Sequence, residues 1–168
     1  MESVLLRPAV ATDEPFLWTM LFEAAHADEQ GMVVEDLRTV PELARYVEKW
    51  GGADDLGVVG GTDPETPLGA AWIRRFTADN AAYGFVDERT PELAIGVAPR
   101  ARGTGLGTAL LTRLLDEAAA RYDAVCLSVR ETNPARRLYE RLGFALVPGS
   151  EKTNRVGTTS ITMLRRLG

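Results

Sequence analysis

PRARGTGLGT, residues 99–108, joins a predicted strand to the strongest predicted helix of the chain. An apolar stripe runs along that helix from Leu106 to Ala118 at helical spacing, which predicts packing on a sheet. The glycines of the turn are Gly103, Gly105 and Gly107. Glycine lets the main chain come close to a ligand, and the free N–H groups of a helix N-terminus favour a phosphate. The turn therefore predicts a phosphate site, with a ligand-free strand-to-helix turn as the alternative.

Two common phosphate-binding motifs do not match this turn. A dinucleotide fingerprint has the spacing G-x-G-x-x-G near the first strand, whereas this turn has G-x-G-x-G and comes late in the chain. A P-loop ends in Gly-Lys-Ser or Gly-Lys-Thr, which the turn lacks. The phosphate ligand is therefore of another kind.

Two motifs in the second half of the chain carry a family resemblance. Arg102 to Gly107, RGTGLG, resembles the R/Q-x-x-G-x-G/A signature of the GCN5-related N-acetyltransferases (GNAT). Asn133 to Phe144, NPARRLYERLGF, is similar to the second conserved block of that family. The preceding segment Leu93–Val97 looks like the fourth strand of the family. The resemblance covers nearly the whole chain and is sharpest over residues 92–144.

The order of strand-like and helix-like segments on either side of the turn predicts a mixed α/β sheet with helices on both faces. Strands are predicted at Val4–Arg7, Leu56–Gly60, Leu68–Phe76, Glu92–Val97, Ala124–Val129, Phe144–Pro148 and Thr158–Leu164. Helices are predicted from Asp13 to Leu21, from Pro41 to Trp50, over Leu106–Tyr122 and over Pro134–Leu142. The resemblance implies a single GNAT domain over residues 1–168, with a mixed, mostly antiparallel twisted sheet whose fourth and fifth strands splay apart.

Composition excludes several classes of protein. The 168 residues suit one domain, and a net charge of -5 with a pI of about 5.0 argues against nucleic-acid binding. One cysteine and one histidine predict no disulfide and no metal site. The chain lacks an apolar run near the roughly 20 residues that cross a bilayer and lacks a signal pattern, so we expect a cytoplasmic protein without a membrane partner.

The resemblance implies that acetyl-CoA is the cosubstrate and lies between the splayed strands. Its diphosphate would rest on the amides after Arg102, and its pantetheine arm would pair with the backbone of Ile95 to Val97, as an extra strand does. Asn133 resembles a cofactor-contacting Asn of the family, and it also suits a helix N-cap before Pro134. The implied cofactor-binding residues are Ile95, Gly96, Val97, Arg102, Gly103, Thr104, Gly105, Leu106, Gly107, Thr108 and Asn133.

Two residues are candidates for proton transfer. Tyr139 falls at the general-acid position of the family and would protonate the leaving thiolate, the alternative being a core aromatic with a locally bonded hydroxyl. Glu92, at the mouth of the splayed strand, is the candidate general base acting through water, the alternative being a solvated carboxylate. Asp87 and Glu88 are lesser candidates. Cys126 lies inside an apolar strand, where a catalytic thiolate is not expected.

The acceptor side is less determined by the sequence. The resemblance implies direct attack by a primary amine, expected to belong to a small molecule. A protein or peptide N-terminus, a longer acyl-CoA and a non-catalytic acyl-CoA-binding module are the alternatives. Residues 77–91 combine aromatic and acidic side chains that suit a cation, or form a solvated loop. His26 is expected on the polar surface or in the acceptor pocket. Relatives are often dimers, so a homodimer is the expected assembly.

Overall fold

A single mixed sheet runs through the computed structural model, which describes residues 4–167. Its eight strands lie in the order β1-β2-β3-β4-β5-β8-β6, with β7 paired to β8. β4 and β5 are parallel and the other pairs are antiparallel, so the sheet is mixed and mostly antiparallel, as predicted. The strands are β1 Leu5–Pro8, β2 Leu56–Asp63, β3 Thr66–Arg74, β4 Glu92–Val97, β5 Ala124–Arg130, β6 Ala145–Leu146, β7 Lys152–Thr153 and β8 Thr159–Arg166.

Helices cover both faces of the sheet. They are α1 Glu14–Ala24, α2 Pro41–Ala44, α3 Leu106–Ala118 and α4 Ala135–Arg141. The leucines of α3 pack with Val125 and Leu127 of β5 in one core cluster, whereas α1 packs with Val47 and Trp72 in a second cluster on the opposite face. Every helix within residues 4–167 is too short or too polar to cross a membrane. The predicted stripe of α3 is therefore confirmed as its sheet-facing side.

The parallel pair β4 and β5 separates soon after it begins. Its register covers Glu92 opposite Cys126 and Leu93 opposite Leu127, and within the described residues no strand pairs with the rest of that edge of β4. α1 presses on the other side of this open segment, since a Cβ at Gly96 would lie 2.1 Å from the carbonyl oxygen of Met20. The splaying of the fourth and fifth strands is confirmed.

The second predicted helix ends early, and the reason lies outside its own sequence. α2 stops at Ala44, although the apolar pattern continues to Trp50. In a longer helix the carbonyl oxygen of Tyr46 would accept the N–H of Trp50. Instead it accepts a hydrogen bond from Trp72 Nε1 at 2.9 Å, and Trp50 N donates to Glu14 Oε1 at 3.2 Å. The helix prediction to Trp50 was therefore wrong because tertiary contacts compete for the backbone.

The β2–β3 turn is tighter than predicted. The strands continue through most of residues 61–67, which the sequence assigned to a turn. Asp63 Oδ1 accepts hydrogen bonds from the N–H groups of Glu65 at 2.8 Å and Thr66 at 2.9 Å. This side chain closes the turn in place of a longer loop.

Candidate active site

The glycine-rich turn ends in a row of free backbone N–H groups. Gly103 and Gly105 have φ angles of 76° and 87°, a left-handed conformation that glycine adopts without strain. No group among residues 4–167 accepts a hydrogen bond from the N–H groups of residues 103–108. A Cβ on either left-handed glycine would meet no atom within 4 Å, so the space before these amides is open. Such donors at the positive end of a 13-residue helix suit a phosphate.

The side chains around this cradle of amides, residues 103–108, are engaged by the protein itself. Arg102 forms an ion pair with Glu23 of α1 at 2.9 Å between Nη2 and Oε1, and half of its side chain remains exposed. The Thr104 hydroxyl donates to the carbonyl oxygen of Ala101 at 2.5 Å. Binding at the cradle would therefore rest mainly on the main chain.

The cradle adjoins the gap between β4 and β5. A Cβ at Gly107 would lie 3.8 Å from Ile95 and 4.0 Å from Val97, both on the open part of β4. An unpaired strand edge offers alternating N–H and C=O groups to an extended ligand that carries amides. The predicted residues 95–97 and 103–108 thus border one continuous site. At Gly96 the absent side chain is explained by the contact with Met20 already described.

Tyr139 brings a free hydroxyl to the cavity that opens from this gap. The residue is 8% exposed and lines the cavity wall, with its ring at an edge-to-face distance of 6.0 Å from Phe144. Its hydroxyl forms no hydrogen bond with any residue in 4–167, which removes the alternative of a locally bonded hydroxyl. Burial raises the pKa of Tyr139 to about 12. The hydroxyl therefore stays protonated near neutral pH and can donate.

Glu92 lies at the closed end of the gap, not at its mouth as the sequence suggested. The prediction was wrong because the parallel pairing begins at Glu92 itself. The residue is 2% exposed, so the alternative of a solvated carboxylate is also wrong. Its carboxylate accepts a hydrogen bond from the Tyr46 hydroxyl and another from Gly84 N at 3.0 Å.

Burial gives Glu92 an unusual protonation equilibrium. Loss of solvation raises its pKa to about 7, although the hydrogen bonds from Tyr46 and Gly84 and the charge of Lys152 act in the opposite direction. Tyr46 lines the cavity and Glu92 lies behind it. Tyr46 therefore lies between the Glu92 carboxylate and the cavity. The Tyr46 hydroxyl also accepts a hydrogen bond from Tyr83 N at 3.2 Å.

The contact between Tyr46 and Glu92 was missed by the sequence analysis. The two residues are 46 positions apart, and no motif links them. The lesser candidates do not reach the cavity: Asp87 accepts hydrogen bonds from Arg89 N and Thr90 N, and Glu88 accepts one from Ala78 N. Both carboxylates accept hydrogen bonds from backbone N–H groups of their own loop.

The remaining candidates are placed as follows. Asn133 Oδ1 accepts the N–H of Ala135 at 2.9 Å, so it caps the start of α4, and the residue also lines the cavity. His26 lines the cavity with a left-handed backbone, φ 52°. Cys126 is fully buried, burial raises the pKa of its thiol, and the thiol donates to Pro91 O at 3.6 Å. These contacts give the thiol no route to a ligand.

Sequence comparison with known proteins finds a matching family model and related proteins. The sequence model of the acetyltransferase (GNAT) family matches residues 18–144. Mycothiol acetyltransferases of Beutenbergia cavernae and Thermobispora bispora are each 36% identical to this chain, over 126 and 148 residues, or 74% and 85% of it. The chain spans 38% and 47% of the length of those relatives, less than half.

A solved structure shares the fold along almost its whole length. This is yncA, a putative acetyltransferase from Salmonella typhimurium, in complex with its cofactor acetyl-CoA. The TM-score is 0.69 at 20% identity, and the match covers 99% of this chain and 95% of that chain.

Proposed function

The chain belongs to the acetyltransferase (GNAT) family, and we propose that residues 1–168 form one domain that transfers the acetyl group of acetyl-CoA to a primary amine of a small molecule. The observation that carries this proposal is the row of free N–H groups at residues 103–108, which opens directly onto the unpaired edge of β4. A diphosphate followed by an extended arm with amides suits this sequence of donors.

The residues that would hold acetyl-CoA are those that border the cradle and the gap. The N–H groups of Gly103 to Thr108 would bind the diphosphate, and the backbone of Ile95 to Val97 would pair with the pantetheine arm. Asn133 uses its side-chain oxygen to cap α4, which leaves its amide nitrogen for the arm. Acetyl-CoA supplies the acetyl group as a thioester, and the chain supplies alignment and proton transfer.

Tyr139 is proposed as the general acid. Its hydroxyl is protonated, lines the cavity and has no protein partner among residues 4–167. It would donate its proton to the thiolate that leaves as the C–S bond breaks. A non-catalytic binding module has no use for such a donor, so the free hydroxyl favours an enzyme.

The Tyr46–Glu92 pair is proposed to deprotonate the acceptor. An ammonium ion must lose a proton before its nitrogen can attack, and Glu92 with a pKa of about 7 is half ionised near neutral pH. Tyr46 already donates its hydroxyl proton to Glu92. As that proton moves to the carboxylate, the Tyr46 oxygen takes one from the ammonium, and the free amine then attacks the thioester carbon. Once the N–C bond has formed, the nitrogen loses its second proton, which replaces the proton that Tyr139 gives to the leaving sulfur. The first proton stays on Glu92 until it is released to solvent.

Thiol release tests the enzymatic part of the proposal. Acetyl-CoA is incubated with the protein and a panel of amino acids, peptides, aminoglycosides and polyamines, and free thiol is measured. Release that depends on an acceptor supports the proposal. Tight acetyl-CoA binding in calorimetry without release from any acceptor would instead support the binding module.

A matched pair of substitutions tests the cradle. Thr108 and Thr112 are exposed threonines one turn apart on α3. Thr108→Glu places a carboxylate beside the amides, where it stabilises the helix but repels a diphosphate. We expect it to weaken acetyl-CoA binding at least tenfold in calorimetry, with an unchanged or higher melting temperature. Thr112→Glu lies about 6 Å farther along the helix and should bind within about threefold of wild type. Equal affinities for the two variants would contradict the assignment.

A further inference from the structure

The charge on the cavity wall is positive. The charged side chains that line it are Arg130 and Arg155, and no Asp or Glu of residues 4–167 lies on the wall. The carboxylate of Glu92 is withdrawn behind Tyr46. The sequence suggested that acidic side chains of residues 77–91 could receive a cation, but among these residues it is Tyr83 that reaches the cavity.

Neither arginine is neutralised within the cavity. Arg155 donates to Gln30 Oε1 and contacts Met32 Sδ at 3.7 Å, both uncharged groups, and it forms no ion pair among residues 4–167. Arg130 meets Glu29 at 3.5 Å, and 62% of the Glu29 side chain is exposed to solvent. An exposed ion pair of this kind is weak because solvent screens it, so a ligand can compete with Glu29 for Arg130. The wall therefore carries a net positive charge that a ligand can use.

Tyr83 adds an independent observation. Its hydroxyl is buried, and its proton has no acceptor among the described residues, 4–167. A buried hydroxyl without an acceptor is costly, which points to a ligand atom that accepts its proton. Burial, followed by the charge of the exposed Glu42, raises the pKa of Tyr83, and the charge of Arg155 opposes both. Tyr83 and Arg155 both line the cavity, and a backbone hydrogen bond from Arg155 to the Tyr83 hydroxyl also lowers the pKa of Tyr83.

We infer that the acceptor carries a carboxylate as well as its primary amine, and that Tyr83 Oη and Arg155 hold this carboxylate, with Arg130 adding to the attraction. A guanidinium and a hydroxyl donor are the groups that bind a carboxylate in proteins. The inference rests on the proposed function, because it names the substrate class of the same site. Amino acids and their small derivatives fit this description, whereas polyamines do not.

Paired acceptors test the inference by turnover. Glycine and the L-amino acids that have a primary amine and an uncharged side chain are each compared with the corresponding amide. The amide keeps the amine and removes the negative charge, and kcat/KM is measured from thiol release. We expect the carboxylate to exceed the amide at least tenfold for every acceptor that is used. Arg155→Gln should reduce that ratio to about twofold or less, while Arg89→Gln, at an exposed arginine outside the cavity wall, should preserve it. Equal use of acids and amides, or a preference for spermidine, would overturn the inference.

A binding measurement separates this inference from the proposed function. N-acetylglycine and N-acetylglycinamide, which have no side chain to be excluded, are added with coenzyme A, and their binding is followed by ligand-observed NMR. The acid should bind and the amide should not. Tyr83→Phe should weaken binding of the acid severalfold without lowering the melting temperature, since it removes a hydroxyl whose proton has no acceptor among residues 4–167.

The outcomes of the two measurements are distinct. Binding of the acid that Arg155→Gln abolishes, without thiol release from any acceptor, would refute the proposed acetyl transfer and still support a carboxylate site. Thiol release from amines together with equal binding of acid and amide would support the transfer and refute the carboxylate site.

Discussion

Replacement of Glu92 by Gln should change how the stability of the protein depends on pH. Burial raises the pKa of Glu92 from 4.5 to about 7 in the folded chain. Below pH 4.5 the carboxyl group is protonated in the folded and the unfolded chain, so its raised pKa does not lower the free energy of unfolding. Between about 4.5 and 7 the unfolded chain ionises while the folded chain keeps its proton, so stability falls as pH rises. The difference between the two pKa values corresponds to about 3 kcal/mol.

The assay is urea unfolding at a series of pH values from 4 to 8, for wild type and Glu92→Gln. The free energy of unfolding of wild type should fall relative to that of the variant by about 3 kcal/mol over this range, mostly between pH 4.5 and 7. Tyr46 does not contribute to this change, because burial and the charge of Glu92 raise its pKa well above 10. Glu140→Gln, at an exposed carboxylate on α4, is the control and should follow wild type. Parallel curves for wild type and Glu92→Gln would refute the reasoning that Glu92 is buried with a raised pKa.

Three further substitutions test the site and its support. Tyr139→Phe should lower kcat about tenfold to a hundredfold and leave acetyl-CoA affinity unchanged in calorimetry, whereas an unaffected kcat would exclude the general acid. Tyr46→Phe should lower kcat and move the acidic limb of the kcat–pH profile to higher pH, because the substitution removes a hydrogen bond that lowers the pKa of Glu92. An acidic limb at the wild-type position would contradict proton transfer through Tyr46. Gly84→Ala should lower the melting temperature by the equivalent of about 1–3 kcal/mol, because its Cβ would lie 2.7 Å from the backbone of β5, while Gly52→Ala, with its nearest atom at 3.7 Å, should have little effect.

The family and the fold could be predicted because their signals are local in the chain. The glycine turn, the apolar stripe on α3 and the motif from Asn133 to Phe144 each occupy one short segment, so each can be recognised without knowing its tertiary contacts. Gly103 and Gly105 are left-handed where a tight turn before a helix needs them. The mixed sheet, the splayed strands and the family membership are accordingly confirmed.

The acceptor side could not be predicted in the same way because its contacts join distant segments. Tyr46 meets Glu92 across 46 positions, and Arg155 reaches Gln30 across 125. Neither pair leaves a spacing pattern in the sequence. The sequence predicts Glu92 at the mouth of the gap, whereas the burial that raises its pKa depends on segments far away in the chain. The roles of the predicted site residues stay predictions.

The closed end of the gap has a consequence for which acyl groups fit. The strands β4 and β5 meet where Leu93 lies opposite Leu127, both buried. For a thioester arm in the gap, this junction acts as a fixed stop, and it is made by the sheet itself and not by a mobile side chain. A longer acyl chain that points toward this junction would have to separate two hydrogen-bonded strands, which costs far more than the rotation of one side chain. Discrimination against longer acyl chains would then depend on the pairing of β4 and β5, and replacement of single side chains by smaller ones would weaken it little.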